Sequence, residues 1–325
     1  MDINIKLINK IRKKKSENIK SKKIILKHDF FLDNYIEIVK IIKNSIHYNR
    51  YEIFNYCEFL RIVNDPLSDD NINDMKHVLM TYNDVKSTEF YELISNSETE
   101  KLLITNVLST YNYLLNSLKL LNDKNICYYD LSTDNISFIM PNPNPIIKII
   151  DLNLNIERLN EEYVKNIIKK TNSLNNIYKP IEVHVLFYLV ENDINTLSYS
   201  SIEIIINKFI ENLSVLDFVS EKYREEYYCS CVKFLNIFAN KPKNEIIINI
   251  LKYVDKWDNY SLSILYYHIL DSFSILLKQE EFISKFMNIL CENIHPDPSK
   301  RETLENTIVK YDNLFEESTE WKFCS

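Results

Sequence analysis

Glycine is absent from this sequence of 325 residues, and alanine occurs once, at Ala239. Average glycine usage of about 7% would give roughly 23 glycines in a chain of this length. Glycine adopts positive φ without steric cost, so other residues must fill such positions in this chain. The sequence therefore predicts that Asn, Asp or other residues occupy the left-handed turns of the fold.

The sequence also lacks long apolar runs, and no secretory leader is expected from its polar start. No apolar segment approaches the length that spans a bilayer, and the start of the chain, MDINIKLINKIRKKKSENIKSKK, is too polar for a signal peptide. Six scattered cysteines form no zinc or disulfide pattern, which favours free thiols. We therefore expect an intracellular protein without a membrane span.

Acidic residues outnumber basic ones, with 46 Asp and Glu against 39 Lys and Arg. The net charge of -7 argues against a general nucleic-acid-binding protein, because phosphate contacts require clustered positive charge. The exception is a run over residues 10–23 that is rich in lysine and arginine. This run fits a solvated flexible end, a nuclear address or a contact with an anionic surface.

Apolar residues make up 46% of the chain, enough to bury a core in one large domain or two modest ones. Between residues 24 and 92 the segments KKIILKHDFF, YEIFNYCEFLRIV and MKHVLMTYN predict strands, and LDNYIEIVKIIKNSI repeats apolar residues at helical spacing. From Thr99 onward, apolar residues recur at i, i+3 and i+4. This periodicity predicts a long helix that ends near residues 122–125, where asparagine can take the left-handed turn.

The segment ICYYDLSTDNISFI, residues 126–139, follows this helix and carries Asp130 and Asn135. After it, ISFIM and IIKIID flank a PNPNP turn, a pattern that predicts a β-hairpin. The hairpin would return Asp151 towards Asp130 and Asn135. Taken singly, such residues usually form turns. Together they would offer carboxylate and amide oxygens, which are competent to bind a metal ion.

These residues resemble, in order and spacing, the eukaryotic-type protein kinases, in which H-R-D-L-x-x-x-N precedes D-F-G. KWDNYSLSILYYHIL resembles the D-x-W-S-x-G helix of that family, with Asp258 in the aspartate position. IHPDPSKRETLENTI resembles its D-P-x-x-R segment with Arg301, and Glu182 stands where a glutamate pairs with that arginine. The composition fits AT-rich coding, and deliberate removal of glycine would look the same. With this composition and these motifs, the chain is similar to the divergent protein-kinase-like proteins of large nucleocytoplasmic DNA viruses.

The resemblance implies an α+β, protein-kinase-like two-lobe fold, with a small, reduced N-terminal β-containing lobe and a large, mainly α-helical C-lobe. The implied divisions are a basic segment at residues 1–23, the reduced N-lobe at 24–86 and the helical C-lobe at 87–325. Residues 183–256 lengthen the interval between Asp151 and Asp258 and have helical periodicity. They would form a helical insertion that either binds a protein partner or packs onto the large lobe.

The resemblance assigns roles within the catalytic loop. Asp130 would be the catalytic base or would orient the substrate hydroxyl, and Asn135 and Asp151 would bind Mg²⁺. Tyr128 and Tyr129 replace the His and Arg of the family. Pairing with an activation-loop phosphate is therefore not expected.

Two further departures affect the same region. Ser132 stands where the family has a lysine that helps to hold the transferred phosphate, so the missing cation should slow the chemistry. Leu152 and Asn153 replace the Phe and Gly of D-F-G. The leucine can supply the apolar side chain, and the asparagine can tolerate the backbone conformation of glycine.

The first lobe departs furthest from the family, because no glycine-rich loop is present to cradle phosphates. Lys27 is the candidate for the strand lysine that contacts ATP, with Glu37 as its helix partner. A surface role for both fits the short interval between them at least as well. The hinge strand beside the adenine would consist of Met80, Thr81, Tyr82 and Asn83.

Two functions of different class follow from these residues. The first is a divergent serine/threonine protein kinase that transfers the γ-phosphate of ATP to a protein hydroxyl with Mg²⁺. The second is a pseudokinase that binds a nucleotide or a partner as a scaffold, which the missing glycine loop and Ser132 favour. A small-molecule kinase similar to the aminoglycoside phosphotransferases is a third reading, and the Asp258 and Arg301 segments count against it. A viral protein kinase would act in the host cytoplasm, the virus particle or the nucleus.

Overall fold

The computed structural model describes residues 21–27, 30–54, 56–60, 77–83, 87–89, 92, 95–139, 144–150, 152–171, 177–273, 275 and 281–317. The described elements are mainly helical, with a small strand-containing region, as the sequence predicts. Two compact units divide the chain, one made of Met1–Leu32 and Ile53–Lys86 and the other of Asp33–Glu52 and Ser87–Ser325. The kinase-like lobes and their boundaries stay predictions.

The bounds of the elements are as follows. In chain order the strands are β1 (Ser21–Lys27), β2 (Tyr51–Glu52), β3 (Tyr56–Leu60), β4 (His77–Asn83), β5 (Ser87–Glu89), β6 (Ile126–Cys127), β7 (Ile136–Ile139), β8 (Pro145–Lys148) and β9 (Leu154–Asn155). The α-helices are α1 (Phe30–Lys43), α2 (Glu100–Asn122), α3 (Glu161–Lys170), α4 (Ile181–Glu191), α5 (Tyr199–Asn212), α6 (Glu221–Leu235), α7 (Lys243–Leu251), α8 (Trp257–Ser272), α9 (Glu281–Asn293) and α10 (Leu304–Glu317).

The first unit contains a three-stranded antiparallel sheet in the order β1-β4-β3. Its central strand places Met80 opposite both Ile24 and Cys57. The three strands coincide with the segments in which β-branched and aromatic residues predict strands. These strand predictions are confirmed.

Helix α2 shows how the apolar pattern builds the second unit. Thr99 caps the helix, since its hydroxyl accepts a hydrogen bond from the backbone N–H of Leu102 at 3.2 Å. The buried face carries the residues that recur at helical spacing, among them Val107, Tyr111 and Leu118. The helix ends at Asn122, as predicted.

The second unit also contains a four-stranded sheet in the order β2-β8-β7-β5, with β2 and β5 before α2 in the chain and β7 and β8 after it. Strands β7 and β8 pair antiparallel with Ile136 opposite Ile147, so the predicted hairpin is confirmed. Strand β2 pairs with β8 in parallel. Strands β6 and β9 form a short antiparallel pair of their own, which brackets the loop that carries Asp130.

Helix α8 lies in the core of the second unit. Its residues are buried on nearly every side, as expected for a helix without a wide polar face. Aromatic rings from neighbouring helices meet around Tyr111, whose ring centroid is 4.9 Å from those of Tyr266 and Phe286.

Helices α5, α6 and α7 confirm the helical character of residues 183–256. No helix in the described part of the chain is long and apolar enough to cross a membrane.

Positive φ occurs at four described residues of this glycine-free chain. They are Asn125, Tyr129, Asp193 and Asn240, with φ of 56°, 66°, 49° and 59°. Three of them are the Asn or Asp that the composition predicts. Tyr129 is the exception, because a bulky side chain in this region is a genuine outlier. Such strain persists where the surrounding structure enforces it, commonly at functional sites.

Candidate active site

Asp258 of α8 holds the backbone of the loop that follows β6. Its carboxylate accepts hydrogen bonds from the backbone N–H groups of Tyr128 at 2.7 Å and Tyr129 at 2.8 Å. Burial raises the pKa of Asp258, and these two backbone donors oppose that rise. The buried aspartate therefore fixes two consecutive peptide units.

The two tyrosines turn the chain so that the next residue faces outward. Tyr128 is completely buried, and its hydroxyl donates to the carbonyl of Lys148 at 2.6 Å. Tyr129 is buried in its positive-φ conformation. Asp130 donates its N–H back to the carbonyl of Tyr128 at 2.8 Å, and its side chain is 33% exposed. The loop thus presents one partly exposed carboxylate beside two buried, hydrogen-bonded tyrosines.

Lys179 contacts that carboxylate from the inside. Its ammonium donates to Asp130 Oδ1 at 3.0 Å and to the carbonyl of Tyr129, and it lies 4.0 Å from the centre of the Tyr129 ring. Sequence reasoning missed this residue. The lysine directly precedes Pro180 in the segment that leads into α4. Nothing in its local pattern indicates a contact with a distant loop.

Asn135 lies beside Asp130 with its amide oriented by hydrogen bonds. Its Nδ2 donates to the backbone carbonyl of Asp130 at 3.0 Å and to Ser132 Oγ at 3.3 Å. Among the described residues, none donates to Asn135 Oδ1. The structure therefore brings Asp130, Ser132 and Asn135 together and leaves one amide oxygen for a ligand.

Asp151, the third predicted oxygen side chain, lies outside the described residues. On either side of it, the N–H of Ile150 donates to Asn153 Oδ1 at 2.7 Å. Asn153 Nδ2 donates to the carbonyl of Tyr128 at 2.7 Å, which ties this segment to the Asp130 loop. Asn153 is not among the described residues with positive φ, and its predicted tolerance of the glycine conformation stays a prediction. Its side chain supplies the connection.

The oxygen atoms of the side chains near Asp130 are candidates for binding a metal ion. Amide and carboxylate oxygens such as those of Asn135 and Asp151 are the ligands that Mg²⁺ prefers. No group of three or more His, Cys, Asp and Glu side chains within the described ranges could hold a metal ion. Asn135 is not one of those four residue types, and its amide oxygen is a ligand of the kind that Mg²⁺ prefers. The contribution of Asp151 stays a prediction.

The predicted ATP contacts outside this loop stay predictions. Glu37 lies on α1, and its carboxylate contacts the Arg158 guanidinium at 2.5 Å, with both side chains partly exposed. Lys27 is the last residue of β1, and its side chain lies outside the described part of the chain. Met80 is buried on β4, the strand that also contains Thr81, Tyr82 and Asn83.

A second ion pair lies deep in the helical unit. The Arg301 guanidinium donates to both carboxylate oxygens of Glu182, at 2.6 and 2.9 Å, and both side chains are fully buried. Burial lowers the pKa of Arg301, but the neighbouring Glu182 carboxylate outweighs it, so that pKa is raised. The pairing that the sequence predicted for these two residues is confirmed.

No protein-family model matches the chain, and no curated protein does. Among solved structures, the chain is similar to the autoinhibited serine kinase domain of the giant muscle protein titin. The TM-score is 0.45 and the sequence identity 14%, over 92% of this chain and 74% of that one. Similarity at this level does not establish a common fold.

Proposed function

We propose that the chain is a divergent serine/threonine protein kinase that transfers the γ-phosphoryl group of ATP to a protein hydroxyl. One observation carries the proposal. Asp130 is held by a rigid loop, Lys179 binds its Oδ1, and no described residue bonds its Oδ2. The free oxygen is an acceptor for a substrate hydroxyl, and Asn135 Oδ1 lies on the same loop.

The reaction can be written with Asp130 as the acceptor of the proton. The hydroxyl oxygen of the protein substrate forms a bond to the γ-phosphorus, and the bond from that phosphorus to the β-phosphate oxygen breaks. ADP leaves, and the hydroxyl proton passes to Asp130. The protein's contribution is the position of the carboxylate, which the contacts of Asp258 and Lys179 define.

ATP and Mg²⁺ belong to the same proposal. Asn135 and Asp151 would hold Mg²⁺, which neutralises charge on the nucleotide phosphates when it is bound. Lys27 and Glu37 remain the proposed phosphate-contacting lysine and its partner. The adenine would lie against residues 80–83 of β4. The donor chemistry of Asn135 supports the metal assignment, and the order of the segments supports the others.

A pseudokinase scaffold is the second candidate, and two observations favour it. The sequence has no glycine with which to build a loop around phosphates. The carboxylate of Glu37 bonds to Arg158 at 2.5 Å, which engages the proposed partner of Lys27. In this alternative the helices of residues 183–256 would carry a protein partner.

The proposal includes a viral origin for the protein and a location in the host cell or the virus particle. Its composition and motifs support a viral protein that acts in the host cytoplasm or the virus particle. The basic run over residues 10–23 would support transport to the nucleus. Its residues 10–20 lie outside the described part of the chain, and Lys22 and Lys23 lie on β1.

Transfer of radiolabelled phosphate from ATP with Mg²⁺ to the chain itself and to a general protein substrate tests the proposal. Asp130→Asn should lower the rate by about 100-fold or more, since positioned general bases contribute roughly 10²–10⁴-fold. Asp134→Asn is the matched control, because Asp134 is exposed on the same loop. It should leave the rate unchanged.

Labelling that persists undiminished in Asp130→Asn would contradict the assigned base. No transfer by the wild-type chain, combined with a rise in melting temperature on adding nucleotide or partner, would favour the scaffold. Equal losses in Asp130→Asn and Asp134→Asn would point to a general disturbance of the loop.

A further inference from the structure

Lys179 is an unusual lysine, because its ammonium is taken almost completely out of water. The side chain is 2% exposed. Burial lowers the pKa of Lys179, and the neighbouring Asp130 carboxylate opposes that change. A buried ammonium is destabilising unless it is paired and hydrogen-bonded. Its partners are the carbonyl and ring of Tyr129 and one oxygen of Asp130.

The two members of this pair differ in what solvent reaches. Lys179 is enclosed, whereas the Asp130 side chain is 33% exposed. The ammonium therefore binds Oδ1 from the protein side, and Oδ2 has no hydrogen bond from any described residue. In a surface pair such as Lys119 and Asp123, by contrast, both side chains are accessible to water.

Lys179 also binds both Tyr129 and Asp130, the two residues whose conformation sets the direction of the Asp130 carboxylate. It binds the backbone of Tyr129, whose positive φ aims the next residue outward, and it binds the side chain of Asp130. A single ammonium thus fixes both the peptide before the carboxylate and one carboxylate oxygen. Because the ammonium donates to both of these groups and also contacts the Tyr129 ring, Asp130 has little freedom to turn its free oxygen away.

We propose that Lys179 is a positioning residue for Asp130, fixing Oδ1 so that Oδ2 accepts the hydroxyl proton of the substrate. This inference rests on the proposed function. Lys179 does not itself reach substrate or nucleotide, because its side chain is enclosed. Its removal should therefore lower kcat and leave the KM for ATP unchanged.

Lys179→Met tests the inference, since methionine fills the volume with an apolar side chain and leaves a carboxylate that water can reach. We expect kcat to fall roughly 10- to 100-fold, as for a misplaced catalytic group, with KM for ATP altered less than about 2-fold. Lys179→Arg keeps the charge and should retain more of kcat than Lys179→Met. Lys243→Met, which removes another buried lysine with an aspartate 3.9 Å away, is the matched control and should leave kcat unchanged.

A double variant separates positioning from a purely structural role. If Lys179 acts through Asp130, Lys179→Met should have no further effect on the residual rate of Asp130→Asn. Melting temperatures of all variants show whether they fold. Should Lys179→Met fail to fold, Lys179→Gln, which keeps a hydrogen-bond donor without the charge, enters the same cycle.

The outcomes distinguish this inference from the proposed function. An active wild type whose Lys179→Met variant keeps its kcat overturns the inference alone. So does a loss of the same size in the wild-type and Asp130→Asn backgrounds. A wild type without any phosphoryl transfer overturns the proposed function, and the positioning role falls with it.

Discussion

The Glu182–Arg301 pair and the Asp130–Lys179 pair lie in the same helical unit but differ in their exposure to water. In the first, both side chains are fully buried and two parallel hydrogen bonds join them. In the second, only the lysine is enclosed, and a single carboxylate oxygen is bound. The symmetric pair is complete in itself, whereas the asymmetric pair leaves one acceptor open.

This difference separates a structural role from a chemical one. Arg301 also donates to the carbonyls of His295 and Pro296, so it connects the start of α4 to the chain before α10. Both carboxylate oxygens of Glu182 accept a hydrogen bond from Arg301. A pair with this geometry stabilises a fold. A pair with one unsatisfied, accessible oxygen can also bind something else.

The largest effect should come from Arg301→Met, which leaves the Glu182 carboxylate buried without a partner. Breaking a buried pair from one side destabilises a protein by about 3–5 kcal/mol. Urea unfolding measures the loss, and Lys300→Met at the exposed neighbouring position is the control. The double variant Arg301→Met with Glu182→Leu should recover part of the stability. A loss as small as that of the control would refute the structural role.

Asp258→Asn should have the next largest effect, because asparagine offers one acceptor oxygen for the two N–H groups of Tyr128 and Tyr129. A buried donor without a partner costs about 1–3 kcal/mol. Since these peptides aim Asp130, phosphate transfer should fall together with stability. Asp271→Asn, on the same helix, is the control for both measurements. Full transfer activity in Asp258→Asn would show that the loop keeps its shape without this anchor.

At alkaline pH, the contributions of Lys179 and Arg301 to the unfolding free energy should change differently. The pKa of Lys179 is lowered from 10.5 by burial, so between the folded value and 10.5 the unfolded chain binds more protons than the folded one. The unfolding free energy of the wild type relative to Lys179→Met should therefore rise with pH in this window. Arg301 stays charged, so the difference between wild type and Arg301→Met should remain constant. Urea unfolding from pH 7 to 10 measures both, and parallel curves would contradict the distinction.

The smallest effect on stability should come from Arg158→Ala. This residue pairs with Glu37 at the surface, where such pairs contribute about 0–1 kcal/mol. The activity of Glu37→Gln adds a sharper comparison. A loss of transfer without a loss of stability would support the predicted partnership of Glu37 with Lys27. Unchanged activity in that variant would count against it.

Sequence reasoning predicted the features that depend on local pattern or on ordered motifs. The apolar periodicity from Thr99 predicts α2, and the PNPNP turn predicts the β7–β8 hairpin. The family resemblance predicts the Glu182–Arg301 pair, although the two residues are far apart in the chain. These features could be predicted because the spacing or the residue types of each motif can be read directly from the sequence.

The contacts that complete the site could not be predicted in this way. Lys179 reaches Asp130 because of the path that the chain takes between β9 and α4, and no local pattern records that path. Asn153 was predicted only to tolerate the backbone conformation of glycine, and the hydrogen bond from its side-chain amide to the carbonyl of Tyr128 has no local signal in the sequence. The contact of Glu37 with Arg158 likewise joins an early helix to the segment after β9.

The absence of glycine has a consequence for the denatured chain. Glycine has the greatest backbone freedom when unfolded, and replacing one at a compatible position stabilises a protein by about 0.4–1 kcal/mol through the unfolded state. A chain without any glycine therefore starts from a stiffer disordered ensemble and loses less entropy as it orders. Its steric penalty is concentrated at a few turns, and the turn at Tyr129 lies next to the carboxylate proposed to do the chemistry.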